Sequence, residues 1–197
     1  RMEKAGPSAA DVVNSLDEEE LARLLREFGE EKRARQVARS IVKARAQRPI
    51  TRTSELAEIV CRAVPQGRSR INPATRTFMA LRIRVNNELG ELESVLCAAE
   101  EMLAPGGRLV VVSFHSLEDR RVKNFMQERG GALPAGSRHL PPVISRHARC
   151  FRLLRRGAVK PCGTEAKLNP RARSARLRVA ERTKAAAWPK DEEHVAL

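Results

Sequence analysis

The stretch GGRLVVVSFHSLEDRRVKNF, Gly106 to Phe125, sets His115, Ser116, Glu118 and Asp119 directly after a run of apolar, mostly β-branched residues. In an open α/β sheet, ligands bind beyond the carboxyl ends of the strands. A histidine at such an end can hydrogen-bond a polar substrate or take up a proton near neutral pH. The competing role is structural. Ser116 followed three residues later by Asp119 has the spacing of a helix capping box, with His115 a hydrogen-bonded neighbour. The spacing favours the cap for Ser116 and Asp119, and a place at the site for His115. A Ser-His hydrolase does not fit: there is no G-x-S-x-G elbow, and adjacent His and Ser do not give triad geometry.

A second set of candidates is cationic. Arg76, Arg82 and Arg84 follow the basic stretch QGRSRINPATRT, and Arg171 and Arg173 follow Asn169-Pro170. As groups they suit phosphate; the alternative is a solvated helix face and a strand entrance. Lys and Arg number 38 against 24 Asp and Glu, a formal charge of +14 over 197 residues. A chain this basic is expected to meet nucleic acid, and the guanidinium fork of Arg suits two-point phosphate contacts. Aromatic residues are only 3% and Tyr is absent, which argues against a platform that stacks single-stranded bases. Cys61 and Cys97 fall within apolar helical patterns and read as small core residues. His139, His147, Cys150 and Cys162 lack C-x-x-C or H-x₃₋₅-H spacing, so no metal site is expected. With no secretory signal and no apolar run of membrane-spanning length, a soluble, cytosolic protein is expected.

The elements that must position these groups show in the periodicity. Ser8 with Asp11, and Asp17 with Glu20, have capping-box spacing before two short helices; Leu21, Leu24, Leu25 and Phe28 line the second, and Gly29 stops it. A third helix is expected over about 31–45, with Ala34, Val37, Ala38 and Ile41 inward. A fourth, capped by Thr53, carries Leu56, Ile59, Val60 and Ala63. Asn72 and Pro73 then open one long helix to about Leu103, roughly 45 Å at 1.5 Å per residue, with Gly90 as a bend point. Leu109 to Phe114 is apolar but for Ser113, the pattern of a parallel-sheet strand buried on both faces. The segment 130–149 reads as a loop, Cys150–Leu154 and Ala175–Ala180 as two strands, and 184–197 as a loose tail. The residues alone thus give an α/β protein with a helical domain that binds RNA.

Five segments in order, GEEKRARQVARSIV, PITRTSELAEIV, NPATRTFMALRIRVNNEL, LAPGGRLVVVSFHSLEDRRVK and NPRARSARLRVAER, resemble the RsmH (MraW) family, S-adenosyl-L-methionine-dependent methyltransferases of small-subunit rRNA. The resemblance implies a partial Rossmann-like class I methyltransferase sheet plus an inserted all-α helical domain, with the helical rRNA-recognition part over 1–85 and the methyltransferase part over 86–183. It implies N4-methylation of a cytidine in the decoding region of 16S rRNA, in the bacterial cytoplasm or, as an alternative, in mitochondria. Its partner would be the small ribosomal subunit, with no DNA and no membrane, and a homodimer left open. His115 would lie at the edge of the pocket, Arg76, Arg82 and Arg84 on the RNA from the helical side, and Arg171 and Arg173 from the sheet side. Arg1-Met2 is similar to the end of the family's DMRM segment, and no Gly-rich strand-turn-helix follows it. The chain therefore resembles the C-terminal two-thirds of the enzyme. The cofactor site is expected mainly outside it, and the sheet is expected to have an uncovered edge. A basic RNA-binding module without catalytic activity, or a structural α/β piece, are the alternatives.

Overall fold

A computed structural model describes residues 6–64, 72–131 and 147–189. Most of the expected loop over 130–149 and the end of the expected tail lie outside them, while the start of that tail is not loose, since Ala185 and Trp188 pack on the core. The chain divides into two compact units, Arg1–Glu88 and Leu89–Leu197. Among the described residues no helix is long and apolar enough to cross a membrane.

The first unit is helical. Its elements are α1 (Ala9–Ser15), α2 (Glu18–Glu27), α3 (Ala34–Arg45), α4 (Thr53–Ala63) and α5 (Ala74–Asn86). The first two start as their sequences dictate. Ser8 and Asp17 each accept from the backbone N–H three residues on, and Asp11 and Glu20 reciprocate. Helix α4 departs from expectation: its N-cap is Arg52, with no side-chain cap bond, and Thr53 is the first helical residue. Leu21, Leu25, Val37, Ile41, Val60 and Leu81 meet in one apolar cluster at 0–1% exposure. Each such side chain contributes about 1.5–3 kcal/mol on leaving water. Gly29 sits where the α2 terminus meets α5. A Cβ there would lie 2.7 Å from the Arg76 carbonyl oxygen, so any larger residue would push the helices apart.

The single long helix over 73–103 does not form. Asn87 takes a left-handed conformation, φ 49° and ψ 37°, which ends α5 and starts α6 (Glu88–Met102). The break is therefore at Asn87 and not at Gly90. Asparagine tolerates this conformation better than other non-glycine residues. Apolar spacing alone could not reveal it, because the three-four pattern continues across the break.

The second unit holds a three-stranded sheet in the order β1-β3-β2, with β1 Arg108–Ser113, β2 Phe151–Leu153 and β3 Arg176–Arg182. Helix α7 (Ser116–Arg129) connects β1 to β2, and α8 (Gly163–Leu168) and a 3-10 helix (Pro170–Ser174) precede β3. Both outer strands pair antiparallel with β3, Val111 opposite Arg178 and Leu153 opposite Ala180. The expected parallel strand buried on both faces is corrected accordingly. Leu109 and Val111 pack toward the core, whereas Val110, Val112 and Phe114 are 54%, 48% and 57% exposed. Both faces of β1 carry apolar side chains, but among the described residues only one is covered.

The core of this unit is smaller: Leu96, Val122, Met126, Cys150, Phe151 and Ala180. A buried polar network supplements it. Glu100, 3% exposed, accepts from Arg129 Nε at 2.9 Å, from the Cys150 thiol at 3.0 Å and from the Trp188 backbone N–H at 2.8 Å. Arg182 donates to the carbonyls of Glu100, Cys150 and Ala185. The Arg129 guanidinium lies 4.2 Å from the Trp188 ring centroid. Burial, aided by the Glu100 carboxylate, pushes the Cys150 thiol up to about 12, so it stays protonated and inert.

Candidate substrate site at the end of β1

His115 is the N-cap of α7, not Ser116. Its backbone is extended, and its Nδ1 accepts the Glu118 N–H at 3.3 Å. Glu118 Oε2 accepts in return from the Phe114 N–H at 3.0 Å and the His115 N–H at 3.4 Å. The capping box expected of Ser116 and Asp119 is thus displaced by one residue. Imidazole nitrogen takes the place of the usual hydroxyl or carboxylate acceptor, which is why standard cap residues misled the sequence reading.

This cap fixes the chemistry of the ring. With Nδ1 committed as an acceptor, the neutral imidazole carries its proton on Nε2 and is a donor there. Nε2 is buried and has no aligned hydrogen-bond partner among the described residues. It lies 3.2 Å from Glu118 Oε1, but off the hydrogen-bond direction, so the attraction is one of proximity. The His115 ring, first, and then the Phe114 N–H hold the Glu118 carboxyl down at about 2, against the opposing effect of burial. Glu118 is therefore ionised at neutral pH.

Asp119 is not a cap either. It takes Arg178 in a two-point pair, Nε to Oδ1 at 2.7 Å and Nη2 to Oδ2 at 2.9 Å. The Arg178 guanidinium lowers the Asp119 pKa. The pair ties the first turn of α7 to β3. Sequence reading missed it, since only the register that sets Arg178 opposite Val111 turns that arginine toward α7.

The cationic candidates fall into two groups. Arg76, Arg82 and Arg84 belong to the helical unit. Arg76 is 3.9 Å from the buried Glu31 carboxylate. Arg82 is engaged by Glu88, Nε to Oε1 at 2.8 Å and Nη2 to Oε2 at 3.0 Å. Arg84 is exposed on α5 with no partner among the described residues. Arg171 and Arg173 are exposed on the 3-10 helix, whose start is capped by Asn169. Ser113 pairs with Arg176, so Arg173 and His115 sit at the same end of the β1-β3 pair. The structure thus brings His115, Glu118 and Asp119 together at the carboxyl end of β1.

A surface hollow of about 420 Å³ is lined by Pro105, Gly106, Arg152, Glu181 and Lys184. It lies at the other end of β1 from His115.

Fold and site define a basic α/β protein with a helical unit and a polar site at a strand end. The chain belongs to the MraW methylase family, which it matches over residues 1–183. It is similar to ribosomal RNA small subunit methyltransferase H of Caulobacter vibrioides (strain NA1000 / CB15N), 53% identical over 95% of this chain and 61% of the relative. The protein of that name from Xanthobacter autotrophicus is 58% identical over 96% of this chain and 54% of its own length. That from Rhodospirillum centenum is 58% identical over 95% and 57%. The chain thus spans between about half and three-fifths of the length of these relatives.

Proposed function

We propose that this chain carries the substrate side of an S-adenosyl-L-methionine-dependent enzyme that methylates the exocyclic N4 of a cytidine in the decoding region of 16S rRNA. The cofactor would supply an electrophilic methyl group. Neither the hollow at Gly106 nor the cleft at Lys123 touches His115 or Glu118, and the cofactor site is assigned to the part of the longer relatives that this chain does not match. Two features support a partial Rossmann-like sheet. Strands β1 and β2, both antiparallel to β3, run in the same direction, and α7 crosses between them.

The observation that carries the reading is the buried His115 Nε2, a donor without an aligned partner, beside the ionised Glu118. Nε2 stands 3.2 Å from the Glu118 carboxylate but is not aligned with it, so the donor can turn its hydrogen bond to a ligand. A neighbouring donor and acceptor suit the edge of cytosine, where the acceptor N3 stands next to the N4 amino group. In that role His115 positions the base and polarises its ring, and it does not take up the proton. The base must be unstacked, or offered in a single-stranded loop, to reach such a site. Arg84, Arg171 and Arg173, exposed and without described partners, would hold RNA phosphates, with Arg76 and Arg82 contributing once released from Glu31 and Glu88.

The test is a chimera in which residues 1–183 of this chain replace the matching part of the Caulobacter relative. Mass spectrometry of small-subunit rRNA should show N4-methylcytidine. His115→Ala in the chimera should lower methyl transfer about 100-fold, as loss of a polarising donor does. Transfer at the parent rate would remove His115 from the site, and methylation at another atom would contradict the substrate assignment.

A further inference from the structure

A shallow cleft in the α/β unit adjoins the strand-end residues only through Arg178, which pairs with Asp119. Helix α7 supplies Lys123 and Gln127, the segment after β2 supplies Arg155 and Arg156, and β3 supplies Arg178, over an apolar floor that includes Leu153. No carboxylate lines it. Asp119, beside it, is already taken by Arg178, and Lys123 and Arg176 lie close enough to it to add to its stabilisation. Arg155 and Arg156 are exposed and have no ion-pair partner among the described residues. Three separate elements thus line the cleft, and Arg155 and Arg156 carry its uncompensated positive charge.

We propose that this cleft binds the phosphodiester backbone of the RNA substrate, with Arg155 and Arg156 as the principal contacts and Lys123 as a third. It rests on the reading that the chain acts on rRNA. It adds a contact surface distinct from His115 and from the arginines at 76–84 and 171–173. The chemistry favours backbone over base. The cleft has no aromatic side chain on which a base could stack, whereas forked guanidinium groups match phosphate oxygens. Such contacts fix register and orientation without reading sequence.

The test is fluorescence anisotropy of the full chain with a fluorescein-labelled single-stranded RNA across a KCl series. Each phosphate contact on a single strand contributes about 0.7 to the slope of log affinity against log salt. The double variant Arg155→Gln/Arg156→Gln should therefore lose about 1.4 from that slope, with an unchanged circular dichroism spectrum. The control Arg23→Gln/Arg26→Gln, which removes the same charge from exposed positions on α2, should leave the slope in place. An equal loss in the control would mean diffuse attraction and would overturn the assignment. So would displacement of the RNA by poly-glutamate at equal charge concentration, which would favour an acidic protein. Binding with an undiminished slope in the Arg155/Arg156 variant would overturn the cleft alone. No RNA binding by the parent chain would overturn the reading on which the cleft rests as well.

Discussion

Among the described residues, the helical unit surrounds its apolar residues on all sides, whereas the α/β unit covers one face of its sheet and leaves the other open. In the first, Leu25, Val37, Ile41 and Val60 have 0% exposure in one continuous cluster. In the second, Val110, Val112 and Phe114 face outward, and β1 is an edge strand. Much of the order in the second unit comes from polar groups: Glu100 with Arg129 and Arg182, and Asp119 with Arg178. The helical unit has the packing of a self-sufficient bundle. The sheet has the composition of an element that is covered on both faces, which suits a family whose matched members are longer.

That contrast can be broken most forcefully at Glu100. Glu100→Ala removes the buried carboxylate that accepts from Arg129, Cys150 and the Trp188 N–H, leaving Arg129 only the exposed Glu128, and should cost about 3 kcal/mol. Calorimetry should show the α/β transition moving down while the helical transition stays in place. A single transition shifting as a whole would mean that the units unfold together.

Leu25→Ala makes the reciprocal cut. A fully buried leucine in a closed cluster should cost about 3 kcal/mol, confined to the helical transition.

A pH scan sharpens the account of the α7 start. The Glu118 pKa is lowered from 4.5 to about 2 in the folded chain, so its contribution is fully present above 4.5 and is lost as pH falls toward 2. The partly exposed carboxylate should contribute on the order of 2 kcal/mol. Urea melts between pH 6 and 2.5 should show this loss, and Glu118→Gln should flatten it. Asp119→Asn, which weakens the two-point hold on Arg178, should cost about 1–2 kcal/mol by the same melts at neutral pH. The smallest effect is expected on the open face. Val110→Thr with Val112→Thr should change stability by less than about 0.5 kcal/mol and lower self-association in analytical ultracentrifugation. A large destabilisation would mean that the face is packed.

Much of the helical unit was legible in the sequence, because its signals are local. Ser8 with Asp11, Asp17 with Glu20, and the leucine spacing of α2 each act within one or two turns. What escaped was set by tertiary structure or by unusual chemistry. A left-handed Asn87 interrupts a pattern that stays periodic. The imidazole of His115 caps a helix in place of Ser116. A run of valines looks the same whether one sheet face is covered or both. At the site, the position of His115 at a strand end was visible from the apolar run before it. The tautomer of its ring was not, because that follows from the Glu118 N–H it accepts. Arg155 and Arg156 carried no signal of their own, since only the convergence of α7, β2 and β3 turns them into a cleft.

The proposed assignment gives these residues the substrate side of a methyltransferase and not its cofactor site. Calorimetric titration of the full chain with S-adenosyl-L-methionine tests it most directly. The prediction is no saturable heat at cofactor concentrations up to about 1 mM, the upper end of ordinary enzyme substrate constants. Saturable binding in the micromolar range would contradict it and would place the cofactor at the strand end beside His115.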